Sequence, residues 1–590
     1  MARGVDALSA SRGAHRPGSV ASVRLPWWTG AALAGTTVAV LVLVPFAVLV
    51  REAGTLPFAR VASDPWLRRV VAFSFTQAAL STLLSVGLAL PVALALSHER
   101  RFPGRRALVS LFGLSLVLPA VVAVYGIVAV WGGRGWVNAA LEPLTGLAVP
   151  PLYGLGGILL AHVFFNLPLS TRVLLQALDG VPESHWRLAA QLGMPLSARL
   201  RHIEWPAMAR QVPGLATLVF TLCFTSFAIV MTLGGGPRAT TVEVAIYQAL
   251  RFDFDVPLAV ALAVVQLVLC LGLTALGALA GPGRDAGGAG PAAARALPAW
   301  HPNAHRSAAH RALDRLCIAA VALLVLPPLA ALLLSGVNGR TLATLGDGIT
   351  LLALGNTVVA ALAASALSVT LALGLLGGVR HLHARLGMAR AGDALQSVGN
   401  AILVLPPIVL GTGLFLALRA HADVFSLALV LVVLVNALAA LPFALRILSG
   451  PALRGAAARD RLVRSLGMSR LQRWRIVEWP LMRRARGLAA AVAATLTAGD
   501  LGAIALFGSE RVTTLPLLLH TRLGSYRLEE AAVTAALLLV LCIALFAALQ
   551  RLIGGPSTAH RTAGNEGDPD DGPGALADGV DPAAAVAAAR

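Results

Sequence analysis

Lysine is absent from all 590 positions; the 47 basic residues are arginine throughout. A phosphate-binding loop of the GxxxxGK[ST] kind needs a lysine to reach the phosphates, and Schiff-base chemistry needs a lysine amine. Neither is open to this chain. If ATP powers it, the nucleotide binds another polypeptide. Cysteine is nearly as scarce: Cys223, Cys270, Cys317 and Cys542 stand far apart, in or beside apolar runs, with no CxxC spacing. That pattern predicts buried, inert thiols and gives no metal site or disulfide framework. Charged residues make up only 13% of the chain and hydrophobic ones 57%. Too little polar surface is left for a soluble protein of this length, so the chain reads as all-α and membrane-embedded. The first 25 residues hold Arg and Ser without an apolar core, which predicts a cytoplasmic tail and no cleavable signal peptide.

A membrane span needs about 20 predominantly apolar residues. Twelve segments qualify, at about 30–50, 72–96, 107–130, 152–177, 211–233, 256–281, 316–336, 351–378, 395–418, 424–445, 487–507 and 530–550. With the N-terminus on the inside, 35 of the 47 Arg fall at inner loops and tails, counting Arg172 at the inner end of the fourth span, and 12 at outer loops. Arginine is expensive in the bilayer and accumulates on the cytoplasmic side, so both termini are expected there. The first outer loop, with Arg51, Arg60, Arg68 and Arg69, runs against this trend without reversing it. The net charge of +19 therefore reads as membrane orientation and contact with lipid. No nucleic-acid partner is expected, because no aromatic-basic surface accompanies the charge.

Two polar stretches interrupt the apolar pattern, and they match each other. LGMPLSARLRHIEWP runs from Leu192 to Pro206 and LGMSRLQRWRIVEWP from Leu466 to Pro480, both in inner loops. At a constant offset of 274, Gly193, Glu204, Trp205 and Pro206 meet Gly467, Glu478, Trp479 and Pro480. VLPAVVAVYGI at 117–127 is similar to VLPPIVLGTGL at 404–414, and GGPRATT at 235–241 to GSERVTT at 508–514. The chain is thus predicted to be two similar halves, 30–281 and 316–555, of six spans each. An even number of spans makes the repeats parallel, with their axis along the membrane normal. The linker 282–315 and the tail 556–590 are expected to be flexible and cytoplasmic, and residues 1–29 to form a cytoplasmic tail.

Each polar loop, 183–206 and 455–480, opens with a short helical pattern, turns at its Gly, continues through a second polar helix and meets Trp-Pro before the next span. Glycine reaches positive φ without penalty, and proline suits the first turn of a helix. The pattern predicts a short helix held against the inner membrane face, once per half, for a two-fold symmetric cytoplasmic partner. A loop chosen only for solubility would not need matching Gly, Glu, Trp and Pro at one offset. Trp205 and Trp479 also suit anchoring at the membrane interface.

These loops resemble the EAA loop of ABC importer permeases: EAA, three residues, Gly, nine residues, then I-x-L-P. Here the stretches are RLAAQLG at 187–193 and RLVRSLG at 461–467, followed by IEWP and VEWP. Arg187 and Arg461 stand where the family has Glu, and Trp205 and Trp479 where it has Leu, while Ala189 keeps the second Ala of the motif and Ala190 follows it as a further coupling candidate. The EWP endings, TLGGGPRATTVEVAIYQALRFDFD at 232–255 and LGAIALFGSERVTTLPLLLHTRLGSYRLEEAAVTA at 501–535 closely resemble bacterial thiamine ABC transporter permeases. The resemblance covers most of the chain outside the linker and the acidic tail. It implies a type I ABC importer permease fold of about 12 transmembrane helices, two copies of a separate ATPase, a periplasmic thiamine-binding protein, and inner-membrane import of thiamine and its phosphates. No enzymatic step and no cofactor are implied.

Among single residues, Asp500 is the one acid well inside a span. It either lines the pathway and attracts the thiazolium cation, or caps a helix break between Gly499 and Gly502; the capping reading is preferred. The outer segments 234–255 and 508–527 are expected to dock the binding protein, with Arg238, Glu243, Arg251, Asp253, Asp255, Glu510, Arg511 and Arg522 as polar candidates. Ordinary loop solvation would account for any one of them. Rival readings are a fused ferric iron permease and an ion-coupled secondary transporter, the latter calling for several intramembrane carboxylates. A membrane enzyme lacks any His/Asp/Glu cluster near a span.

Overall fold

A computed structural model gives the fold. It describes all residues except 1–28, 55–56, 101, 115–117, 134, 146–151, 235, 281–306, 385–387, 403–406, 420–426, 456–458, 470–471, 509–511 and 556–590. The described residues form helices and no strand.

The first half comprises α1 (Thr29–Ala53), α2 (Pro65–His98), α3 (Arg105–Leu114), α4 (Ala120–Trp131), α5 (Leu155–Asp179), α6 (Glu183–Gln191), α7 (Val212–Phe224), α8 (Ala228–Leu233), α9 (Val242–Arg251) and α10 (Val256–Ala280). The second repeats the order with α11 (Ala308–Ser335), α12 (Gly348–Ala384), α13 (Ala389–Ala401), α14 (Pro407–Leu418), α15 (Ala428–Gly450), α16 (Asp460–Ser465), α17 (Arg483–Ala498), α18 (Gly502–Phe507), α19 (Leu515–Gly524) and α20 (Leu528–Gly554). Among the described residues ten helices are long and apolar enough to cross a membrane, or eleven counting the bent pair Leu196–Ala209 and Val212–Phe224. The ninth expected span is divided between α13 and the short apolar α14. The last eight residues assigned to the linker already belong to α11, which begins where Ser307 accepts a hydrogen bond from the His310 amide and so closes the first turn.

The halves repeat down to single hydrogen bonds. Asp64 caps α2 by accepting from Trp66 N at 2.7 Å, and Asp347 accepts from Ile349 N at 3.4 Å at the start of α12. Farther along the same two helices, Ser74 Oγ accepts from Val242 N at 2.8 Å and Thr357 Oγ1 from Leu515 N at 2.9 Å. Each hydroxyl satisfies a first-turn amide that has no partner within its own helix.

Within each half a long helix packs on its neighbours: α2 on α5 and α7, and α12 on α15 and α17. The entry helices are exchanged. α1 packs on α12 and α14 of the second half, and α11 on α2 and α4 of the first. Small residues make this exchange possible. A Cβ on Gly413 would stand 2.5 Å from the Pro45 carbonyl oxygen, and one on Gly126 would stand 2.6 Å from that of Pro328. Backbones this close raise dispersion contact where lipid supplies no hydrophobic drive between helices. One apolar cluster runs through both halves as a result.

Candidate functional site

The duplicated loops fold alike. α6 ends at Gly193 (φ +59°), where Met194 N donates to Ala189 O at 2.9 Å; α16 ends at Gly467 (φ +58°), where Met468 N donates to Val463 O at 3.3 Å. This six-to-one closure with a left-handed residue is what a glycine C-cap supplies. Both loops then run through a wide π-type turn, Leu200–Glu204 and Arg473–Glu478, and re-enter helix with Pro206 and Pro480 in the first turn. Such widened turns collect at functional positions.

Arg187, in the family's Glu position, is exposed and folds back on Glu183 at 2.8 Å. Ala189 is buried and Ala190 is exposed beside it. Arg461 lies on α16. Trp205 and Trp479 are about half exposed, at 48% and 41%. The Arg486 guanidinium lies 3.1 Å from the centre of the Trp479 ring and donates to the Trp479 carbonyl at 3.0 Å, a cation–π contact that fixes the indole.

The two glutamates turn inward. Glu204 is 2% exposed, and its Oε1 lies 2.9 Å from Nε2 of His98, the last residue of α2. Nδ1 of His98 lies 3.6 Å from Asp314 on α11. Glu478 receives Arg380 of α12 at 2.7 Å and Arg473 of its own loop at 2.6 Å. Each loop is therefore clasped to the inner end of the long helix of its half, by a buried hydrogen bond in the first half and by ion pairs in the second. In the first half the clasp also reaches the exchanged helix of the second. The sequence motif marks Glu204 and Glu478, but their partners His98 and Arg380 carry no local signal. Only the fold brings them together.

At the opposite end lie the segments expected to dock a protein. Arg238, Arg251 and Asp253 are exposed. Asp255 is held by Arg60 at 2.8 Å and caps α10 through Leu258 N. Two candidates are not on the surface. Glu243 is 1% exposed and accepts from Gln266 Nε2 at 2.6 Å. Burial pushes its carboxyl up to about 7, with the Gln266 hydrogen bond opposing and the Asp500 charge adding to the rise. Arg522, 2% exposed, is enclosed by Asp347, Thr350, Thr534 and Glu530. A buried charge needs such partners, so both residues hold helices together and present nothing outward. Glu510 and Arg511 lie outside the described residues.

Sequence reading missed the most exposed aromatics of this face. Phe254 (80% exposed, φ 52°) and Tyr526 (87% exposed, φ 58°) occupy equivalent turns, between α9 and α10 and between α19 and α20. A left-handed backbone is rare for a bulky residue, and such strain gathers at functional sites. Aligning FDVP at 254–257 with YRLE at 526–529, at the starts of the following helices, would have put the two aromatics in register.

Between the two faces, the fifth span of each half breaks at one level, α7 to α8 and α17 to α18. Asp500 caps the second break, accepting from Gly502 N at 3.2 Å and Ala503 N at 2.9 Å. The halves touch here: a Cβ on Gly499 would stand 2.7 Å from Pro119 Cβ, and one on Gly502 would stand 3.9 Å from the Phe227 ring.

The family model described as "Binding-protein-dependent transport system inner membrane component" matches residues 69–285. The thiamine transport system permease protein ThiP of Brucella abortus (strain 2308) is 44% identical over 499 residues, which cover 84% of this chain and 90% of the relative. Its counterpart from Escherichia coli (strain K12) is 43% identical over 531 residues, 90% of this chain and 97% of the relative. That of Haemophilus influenzae (strain ATCC 51907) is 38% identical over 491 residues.

Proposed function

Since the chain belongs to the thiamine transport permeases of the binding-protein-dependent inner-membrane family, we propose that its two clasped loops are the handles through which a separate ATPase drives thiamine import. The chain is the multi-pass inner-membrane permease of an ABC importer and moves thiamine across the membrane. Both termini lie in the cytoplasm, and two ATPase copies grip the loops around Gly193 and Gly467.

The observation that carries this reading is the buried polar clasp on each loop. A handle transmits force only if it is fixed to what it moves, and Glu204 and Glu478 fix the loops to α2 and α12. ATP-driven closure of the motor would pull both long helices together. Their rigid displacement would open the contact at Pro119–Gly499 and Phe227–Gly502, in the manner of alternating access. A periplasmic thiamine-binding protein would dock on the outer face, anchored by Phe254 and Tyr526 with Arg238, Arg251 and Asp253 around them. Exposed aromatics with a polar surround are the usual anchors of such contacts.

No bond of the cargo changes, so the chain needs only to open and close around it. Thiamine monophosphate and diphosphate travel the same route as thiamine. Labelled-thiamine uptake in a strain deleted for both this chain and its ATPase tests the reading: uptake returns with the intact chain plus its ATPase and fails with either alone. Uptake by the isolated chain in vesicles, without ATPase or ATP, would overturn it.

A further inference from the structure

A groove of about 550 Å³ opens where the turn after α2 meets the exchanged helix α11. Its floor and wall are Phe102, Leu108, Ile318, Ala319, Ala322 and Leu326, and two charged residues, Glu99 and Arg315, line it as well. Arg315, Ile318, Ala319, Ala322 and Leu326 recur at helical spacing and so form one stripe along α11. From Arg315 to Leu326 that stripe rises about 16 Å at 1.5 Å per residue, close to the half-thickness of a bilayer core. The charged pair lies at the end nearest the clasped loops, because Glu99 follows His98 and Arg315 follows Asp314, both members of the His98 clasp.

Glu99 is half-buried and Arg315 exposed, and neither makes an ion pair with a described residue. An apolar channel one leaflet long, headed by one acid and one base, matches a particular lipid chemistry. We propose that this groove holds a phospholipid bearing both a phosphate and a primary ammonium, of the phosphatidylethanolamine type. The phosphate faces the Arg315 guanidinium, the ammonium faces Glu99, and an acyl chain lies along Ile318, Ala322 and Leu326. A purely anionic headgroup would meet the Glu99 carboxylate. A quaternary ammonium would have no N–H to give it. The lipid spans the seam between α2 of one half and α11 of the other, beside the clasp, and so belongs to the joint through which the halves move. The inference rests on the membrane-permease reading, and its test keeps the two separable.

The full chain is extracted from cells in a native-membrane polymer disc, and the co-purifying lipids are counted by native mass spectrometry. Phosphatidylethanolamine is expected above its share in the surrounding membrane. Glu99→Gln and Arg315→Gln are each expected to lower its retention about fivefold, the effect of one charge near a headgroup. Ala319→Phe narrows the exposed groove wall and is expected to displace the lipid while the melting temperature holds. Thiamine uptake in the same cells reports the permease reading independently. Retention unaffected by all three substitutions would overturn the proposal. So would preferential retention of phosphatidylglycerol or phosphatidylcholine, whether or not uptake is normal.

Discussion

His98 and Glu204 stand 106 residues apart in the chain and 2.9 Å apart in the fold. Both side chains are almost wholly buried, at 7% and 3% exposure. Removing one member of a buried hydrogen-bonded pair leaves the other unsatisfied, at a cost of roughly 1–3 kcal/mol and more for a carboxylate. His98→Ala is therefore expected to lower stability by about 3 kcal/mol and to abolish uptake. Arg380→Ala is expected to cost less, because Arg473 still holds Glu478. Thermal melting of the purified chain beside uptake assays checks the order. Equal losses would mean that the two clasps are equivalent.

The turns at Gly193 and Gly467 have nothing within 4 Å of an added Cβ. Alanine there meets only backbone strain, about 1–2 kcal/mol for a left-handed residue. Gly193→Ala and Gly467→Ala are expected to leave the membrane-inserted amount nearly unchanged while lowering ATPase stimulation by loaded binding protein several-fold. Asparagine, which tolerates this region better, is expected to do less harm than valine at either position. The ATPase rate of the reconstituted complex decides.

Asp500 accepts two backbone N–H groups across the helix break. Asparagine keeps an acceptor in place, and alanine removes it. Loss of a cap costs about 1 kcal/mol, so Asp500→Ala is expected to melt earlier while Asp500→Asn transports normally. A rise in apparent Km for thiamine in Asp500→Asn, at unchanged melting, would instead place the carboxylate on the cation's path.

Phe254 and Tyr526 carry strain and exposure together. Glycine at either position removes the conformational penalty, about 1–2 kcal/mol, and also removes the aromatic ring. Phe254→Gly and Tyr526→Gly are expected to raise or hold the melting temperature while weakening binding-protein affinity. Surface plasmon resonance on disc-embedded permease measures it. Unchanged affinity in the double variant would remove both residues from the docking face.

Glu243 gives the fold a pH dependence. Its carboxyl is raised by burial from the ordinary 4.5 to about 7. Between these values the unfolded chain releases a proton that the folded chain keeps. Stability from this group is thus greatest in acid and declines as pH rises from 4.5 to 7. Glu243→Gln is expected to flatten that part of the profile and to stabilise the protein at pH 8. Melting curves across pH 4–8 show the difference between the two chains.

Much of this molecule is legible in one dimension. Apolar runs of span length, arginine at alternate loops and two copies of Gly-x10-Glu-Trp-Pro at one offset come from the amino-acid order alone. They lead to a duplicated membrane permease because the bilayer imposes span length and the repeat imposes symmetry. The Gly193 and Gly467 turns were equally readable, since a C-cap is a local event settled by φ and a few neighbouring carbonyls.

Tertiary structure decided whatever depends on residues far apart in sequence. No periodicity announces that α1 and α11 exchange halves, because a span apolar on every side has no preferred neighbour until Gly126 meets Pro328 and Gly413 meets Pro45. Glu243 and Arg522 look like surface charges in a polar segment. Only three-dimensional packing encloses them with Gln266 and with Asp347 and Thr350. The clasp of His98 on Glu204 belongs to the same class. A hydrogen bond depends on distance in space, and that distance was set by the packing of the first half's helices on one another.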